Sequence, residues 1–350
     1  MKILFINPHS LRNWGGNENW VTRMAELLLE RGIDVELISL DHIPGGINRV
    51  DDKFINSKIK FKYTEIKPKG GKRTPLRASR IPDINADIIY TTVPYYGFLK
   101  QISKIALPKV WGFHDPSLQN PSNLPQKLLL SKLLPRFDMI HLLSSVQLDQ
   151  VKNIKNVKVL ESTWIYGMPE CGNKYEKFTV MFYGRHETDK GIDTLLKVKS
   201  EFGNSINFIV AGSGPRSKDL KNKFSDDELV GFVSDEDLIN YVRHSHVTLF
   251  PSHSESTTSL VAMESLANCT PLLYRDIPVN KNLGNFDMNI ECHSDEDFIN
   301  GIRKLRSWYE SDKEGYLEQS KKLQYKMVSY KEYVNIFLND IIYPAMNSHT

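Results

Sequence analysis

GRHETDKG, residues 184–191, follows a short apolar run of β type (179–183, TVMFY) and opens a helical pattern at 192–198. A buried strand that hands over through a glycine-flanked turn to a helix is the start of a βαβ unit. Two cations, Arg185 and Lys190, stand five residues apart in that turn. They lie beside the unpaired N–H groups of a helix start, which attract anions. Arg and Lys clamps also stabilise a departing phosphate. Arg185 and Lys190 are therefore the leading candidates for gripping a diphosphate.

The same alternation runs in both directions from this turn. Strand candidates in the first half are 3–6, 35–40, 87–91, 110–113 and 140–144. In the second half they are 180–183, 208–211, 229–233, 247–250 and 271–274. Several are continuous apolar runs, as parallel strands covered on both faces require. Strands alternating with helical patterns predict an α/β fold of two doubly wound parallel-sheet, Rossmann-like domains. The join falls near 161–177, where periodicity lapses, and 350 residues suit two domains. Two such domains would flank a cleft, with ligands beyond the carboxyl ends of the strands. The segment 330–342 reads as an amphipathic helix.

Composition narrows the class. No apolar run nears the roughly 20 residues of a membrane span, and the apolar part of MKILFINPHS is too short for a signal peptide. Cys171, Cys269 and Cys292 are scattered without CxxC spacing. That pattern argues against a disulfide framework or cysteine metal site and fits a reducing cytoplasm. Residues 1–165 carry 24 Lys+Arg against 15 Asp+Glu, and the remainder 21 against 27. A basic half favours an anionic partner such as a membrane surface. Residues 66–82 hold six basic side chains and no acid, and 124–137 reads as an amphipathic helix that suits core packing or membrane docking.

Four further segments carry site candidates. In 7–20, NPHSLRNWGGNENW, Gly15 and Gly16 precede a helix reaching about Glu30, so backbone can approach a ligand closely. AGSGPRS (211–217) offers Gly212, Ser213 and Gly214 after a strand, but Pro215 and Ser217 break the dinucleotide fingerprint. In 251–271, a polar loop with Glu255, Ser256, Thr257 and Thr258 leads into a helix from Ser259 and Leu260. Glu264 lies inside that helix among apolar neighbours and needs partners, which ribose or sugar hydroxyls would supply. His114, in WGFHDPS, ends a strand as a structural histidine or a ligand-facing donor. SDED at 234–237 and at 294–297 imitates a metal motif, but serine followed by acids at a helix start is an N-cap suited to the dipole. No metal is expected there.

In this order the pieces resemble the retaining glycosyltransferases of family 4, which have the GT-B fold. The matching residues are Gly15–Gly16, Arg185 and Lys190 in GRHETDKG, AGSGP, residues 229–252, and MESLANCTP as the end of an E-x7-E motif. The resemblance is strong over 178–275 and weaker over 1–32 and 109–165. It implies an acceptor-binding domain over 1–165, a nucleotide-sugar donor domain over 166–328, and a helix over 329–350 crossing back to the first domain. It also implies roles: Gly16 near the donor phosphate or sugar, His114 on the donor sugar, Arg185 and Lys190 on the diphosphate, and Glu264 on ribose hydroxyls. Gly184 and residues 212–214 and 255–260 complete the donor set. One departure stands out. Eight residues before Glu264 is Ser256, and Glu255 is one further back. The expected activity is transfer of a sugar from a nucleotide diphosphate sugar to an acceptor hydroxyl in polysaccharide, glycolipid or lipid-linked glycan assembly. No metal cofactor and no nucleic acid are expected, and the site of action is cytoplasmic, at the membrane face. Alternatives are a catalytically impaired nucleotide-sugar binding protein, a nucleotide-sugar epimerase of the same fold, and a nicotinamide oxidoreductase, which the broken fingerprint disfavours.

Overall fold

The computed structural model describes residues 1–7, 16–40, 58–64, 84–93, 96–114, 131–163, 167–255 and 259–349. The chain divides into two compact units, one of residues 1–166 with 330–350 and one of residues 167–329.

In the first unit, described strands β1 (Lys2–Asn7), β2 (Asp34–Leu40), β3 (Lys60–Thr64), β4 (Ile88–Thr91), β5 (Lys109–Phe113), β6 (Met139–Leu142) and β7 (Val157–Val159) make one sheet. Its order is β3-β2-β1-β4-β5-β6-β7, all parallel. The sequence of β1, KILFIN, explains its central place. Ile3 and Phe5 join one apolar cluster and Leu4 and Ile6 another, so the period-2 alternation buries both faces. The helix Gly16–Glu30 covers the first face with Trp20, Val21, Met24 and Leu28. The C-terminal segment covers it too: Tyr333, Phe337, Ile341 and Ile342 belong to the same cluster. It runs as a helix Tyr330–Ile336, a π turn Phe337–Ile342 and a last helix Tyr343–Asn347. Side chains of this size stabilise by about 1.5–3 kcal/mol each when fully buried.

In the second unit β8 (Thr179–Tyr183), β9 (Asn207–Ala211), β10 (Leu229–Gly231), β11 (Val247–Phe250), β12 (Leu272–Arg275) and β13 (Ile290–Cys292) form a parallel sheet, β10-β9-β8-β11-β12-β13. The helices Asp235–His244 and Asp295–Ser311 start at Ser234 and Ser294, whose side chains accept the amides of Asp237 and Asp297. The two SDED runs are caps, each worth about 1 kcal/mol. In both sheets the order reverses beside the first strand, between β1 and β4 and between β8 and β11. Ligands of doubly wound sheets bind outside the carboxyl ends at that reversal.

Three expectations need correction. Strands β3, β7 and β13 were not expected; all three are short edge strands. β10 stops at Gly231, whose φ of +67° ends extended pairing before Val233. Cys171 and Cys269 do not stand apart. They form a disulfide across 98 residues, with Cα atoms 5.6 Å apart. Sequence spacing tests only local pairs, and here residues 171–174 pack on the end of the helix Leu260–Ala267, where Lys174 Nζ donates to the Cys269 carbonyl and to Thr270 Oγ1. Cys292 is buried and free. Of the expected helix 124–137, residues 124–130 lie outside the described residues; Leu133, Leu134 and Phe137 are core. The basic run 66–82 also lies outside them. Among the described residues no helix is long and apolar enough to cross a membrane.

Candidate functional site at the strand reversals

In the second unit the loop after β8 is shaped by glycines whose backbone angles or close neighbours disfavour a side chain. Gly184 has φ +135° and Gly212 has φ +115°, and a Cβ on Gly212 would fall on the Gly184 carbonyl oxygen. A Cβ on Gly214 would come within 2.6–2.9 Å of the His186 backbone. The turns after β8 and β9 therefore stack backbone on backbone. His186 locks them together: its amide donates to Ser213 O at 3.0 Å, and its carbonyl accepts from Arg216 N at 2.9 Å. Its Nε2 lies 3.4 Å from Ala211 O, an acceptor only, so Nε2 carries the proton and Nδ1 accepts from Ser217 Oγ at 2.9 Å. Ser217 Oγ in turn accepts the Gly214 amide. Burial holds the imidazole below its ordinary range, which keeps this neutral arrangement.

The loop after β11 meets the loop after β8. His253 N donates to Asp189 O at 2.8 Å, and Gly191, at φ +75°, has its Cβ position occupied by Pro251. Lys190 Nζ reaches Glu255 Oε1 at 2.7 Å, with both side chains mostly buried (19% and 14% exposed). Arg185 is 66% exposed and pairs with Glu187. The two expected clamp cations thus sit in one loop but have different partners. An exposed pair such as Arg185–Glu187 is worth about 0.2–1 kcal/mol, so the guanidinium can leave it for a phosphate at little cost. Glu255 is the acid of its loop that contacts the cation. Ser256, Thr257 and Thr258 lie outside the described residues.

Ser259 caps the helix Leu260–Ala267 by accepting the Val261 amide. Glu264 is on its second turn beside Tyr183, the last residue of β8. Burial pushes the Glu264 carboxyl up to about 8; its contact with the Tyr183 hydroxyl opposes this, and Asp235 adds to it. The Tyr183 hydroxyl donates its proton to Val261 O at 2.8 Å. An acid whose titration is pushed up in this way, beside the end of a strand, is the kind of group that functional sites hold.

In the first unit, Gly16 begins the helix Gly16–Glu30, and Gly15 lies outside the described residues. Asn7, at the end of β1, accepts from Asn17 Nδ2 at 2.5 Å and from Thr92 Oγ1 at 3.3 Å, tying the helix start to the β1–β4 reversal. His114 follows β5. Its Nε2 is 3.0 Å from Tyr90 Oη, which is 2.7 Å from His141 Nδ1. His141 Nε2 is 3.0 Å from Leu160 O. Trp20 packs edge-on against the His114 ring, with centroids 4.7 Å apart. Gly112 is a glycine because a Cβ there would strike the Tyr90 hydroxyl. Burial, with His141 adding, holds His114 well below the usual histidine range, and burial brings His141 to about 4.

Sequence reasoning missed His186, Tyr183, Tyr90 and His141. His186 stood inside the quoted turn, but only the cations there were read. Tyr90 and His141 lie 24 and 27 residues from His114, and no spacing rule joins them. Among the described residues one group brings three metal-type ligand atoms within 4.8 Å of one another: Asp276, Glu291 and His293. All are exposed, and His293 already bridges the two carboxylates at 3.1 and 3.5 Å. An imidazole between two acids needs no ion.

Solved structures share this fold along the whole chain. Sucrose-phosphate synthase from Thermosynechococcus elongatus superposes with a TM-score of 0.73 at 13% identity, covering 99% of this chain and 100% of that one. HepE from Anabaena, in complex with UDP, gives 0.72 at 14% identity over 98% and 100%. A glycosyltransferase from Rickettsia africae gives 0.67 at 16% identity over 99% and 98%. At such identities the likeness establishes the fold: two Rossmann-like α/β domains in the GT-B arrangement of strands. No curated protein matches the chain. The second unit carries the sequence signal, for residues 168–314 match the family model of glycosyl transferases group 1.

Proposed function

We propose that the protein transfers a hexosyl group from a nucleotide diphosphate sugar to an acceptor hydroxyl with retention at the anomeric carbon, as a family 4 glycosyltransferase does. The observation that carries the reading is the meeting of loops 184–191 and 251–255 at the β8–β11 reversal. There a glycine-built backbone cradle, Arg185 and Lys190 occupy the place where doubly wound sheets hold phosphates. HepE has been solved with UDP-glucose, and TarM of S. aureus with UDP and alpha-GlcNAc-glycerol; both agree with a nucleotide-sugar donor and a glycan-type acceptor.

In the proposed reaction Arg185 and Lys190 offset charge on the diphosphate as the bond from the anomeric carbon to its oxygen breaks. The acceptor oxygen bonds to the same face of that carbon, and its proton passes to the departing phosphate oxygen. Glu264 holds the ribose hydroxyls, and the side-chain-free turns at Gly184 and residues 212–214 let the donor approach the backbone closely. The cations perform the charge neutralisation that Mg²⁺ supplies elsewhere, so turnover persists in EDTA. The burden on the protein is positioning and electrostatics. Arg185→Ala is the test. Loss of one such donor lowers turnover by about 10²–10³, and a change within threefold overturns the clamp assignment.

A further inference from the structure

We propose that Arg275 is a positioning residue that holds Lys190 and Glu255 together by pinning the Pro251 carbonyl against Gly191. Arg275 is the last residue of β12, and its side chain is 13% exposed. Its Nε donates to Pro251 O at 3.2 Å. Its Nη2 donates to Thr194 Oγ1 at 2.8 Å and to Asp295 Oδ1 at 3.0 Å. One guanidinium therefore joins the loop after β11, the helix Ile192–Phe202 that follows the loop 184–191, and the helix Asp295–Ser311. The Pro251 oxygen that it holds is the closest neighbour of the Gly191 Cβ position. Gly191 follows Lys190, and Glu255 stands four residues beyond Pro251. The two backbones that meet here are thus the roots of the 2.7 Å Lys190–Glu255 contact.

The guanidinium is anchored in turn. The Thr194 hydroxyl accepts from Arg275 and donates onward to Asp295 Oδ1 at 2.5 Å. Lys197 Nζ reaches Asp295 Oδ2 at 2.5 Å. Burial opposes ionisation of Asp295, yet hydrogen bonds from Lys197, Thr194 and Arg275 bring its carboxyl down to about 2, so it stays charged. Arg275 Cζ lies over the Phe298 ring, 5.2 Å from its centroid. Asn280 Nδ2 donates to Arg275 O at 3.0 Å and fixes the backbone. The task needs a rigid planar fork, because an ammonium that stays with Asp295 has no second arm for Pro251. Arg275 acts through Lys190 and Glu255. That these two meet the donor rests on the glycosyl-transfer reading; that Arg275 holds them together does not.

Amide hydrogen exchange of the full-length protein tests the hold without any ligand. The reporter is the His253 amide, which donates to Asp189 O at 2.8 Å across the same two loops. The control is the His246 amide, which donates to Thr179 O at 2.9 Å just before β11. Arg275→Lys should speed exchange at His253 at least about tenfold and leave His246 unchanged. Asp295→Ala, which frees the guanidinium without replacing it, should act in the same direction, and it decides by the same two amides if Arg275→Lys does not fold. Unchanged exchange at His253, or equal acceleration at both amides, overturns the proposal. Calorimetry with UDP, GDP and ADP tests the role. Arg275→Lys should weaken the nucleotide that binds at least about tenfold in the otherwise wild-type protein, and less than about twofold in a Lys190→Met background. The same factor in both backgrounds overturns positioning through Lys190. Binding of none of the three counts against the nucleotide-sugar reading, and the exchange result still decides the hold.

Discussion

Gly212→Ala tests the stacked-turn cradle with an internal control. A side chain at φ +115° costs about 1–3 kcal/mol in backbone strain alone. Gly203 is the comparison. It ends the helix Ile192–Phe202 at φ +51°, with nothing within 4 Å of its Cβ position. Gly203→Ala therefore measures strain without collision and should cost about 1–3 kcal/mol. Gly212→Ala adds a Cβ on the Gly184 carbonyl oxygen, so the turns after β8 and β9 must part. That movement strains the His186 bonds to Ser213 and Ser217, each worth about 0.5–1.5 kcal/mol. The total is about 2–6 kcal/mol. Urea titration should show Gly212→Ala clearly below Gly203→Ala in stability. Nucleotide affinity should fall at least tenfold in Gly212→Ala and stay level in Gly203→Ala, whose substitution lies at the far end of an 11-residue helix. Equal stabilities and equal affinities for the two variants would refute the cradle.

Other outcomes follow from the same geometry. Glu264 is protonated when folded up to about pH 8 but ionises near 4.5 when unfolded, so wild-type stability falls as pH rises through that window. Glu264→Gln lacks this loss, and its stability relative to wild type should rise by up to about 1.4 kcal/mol per pH unit until about pH 8; a flat difference counts against the buried acid. His141 stays neutral when folded down to about pH 4 but charges below 6.5 when unfolded. The first unit should therefore lose up to about 2 kcal/mol between pH 6.5 and 5 on its account, read by denaturant titration, and His141→Gln should remove that loss; burial shifts His114 in the same direction. The basic residues 66–82 predict that the protein pellets with anionic vesicles at low salt and not with neutral ones; equal pelleting removes the membrane contact.

The architecture was legible because buried parallel strands leave continuous apolar runs. TVMFY, KILFIN and VTLF needed no partner to be read. The edge strands KFKYT, VKV and IEC escaped because one side faces solvent and their polar residues break the run. Capping was legible for a similar reason: serine and acids at a helix start act within four residues. What could not be read was contact across sequence distance. Lys190 and Glu255 are 65 residues apart, Cys171 and Cys269 are 98 apart, and the His114–Tyr90–His141 chain draws on three strands. The spacing of an E-x7-E motif pointed to Ser256 or Glu255 without choosing, and only the 2.7 Å contact with Lys190 gives Glu255 a defined place.

The most direct test of the central claim is calorimetric titration of UDP-, GDP- and ADP-sugars in EDTA into wild type and Lys190→Met. Selective binding of one nucleotide sugar by wild type, weakened at least tenfold by Lys190→Met, is the predicted result. Failure of every nucleotide sugar to bind, or binding that Lys190→Met leaves unchanged, would contradict the account.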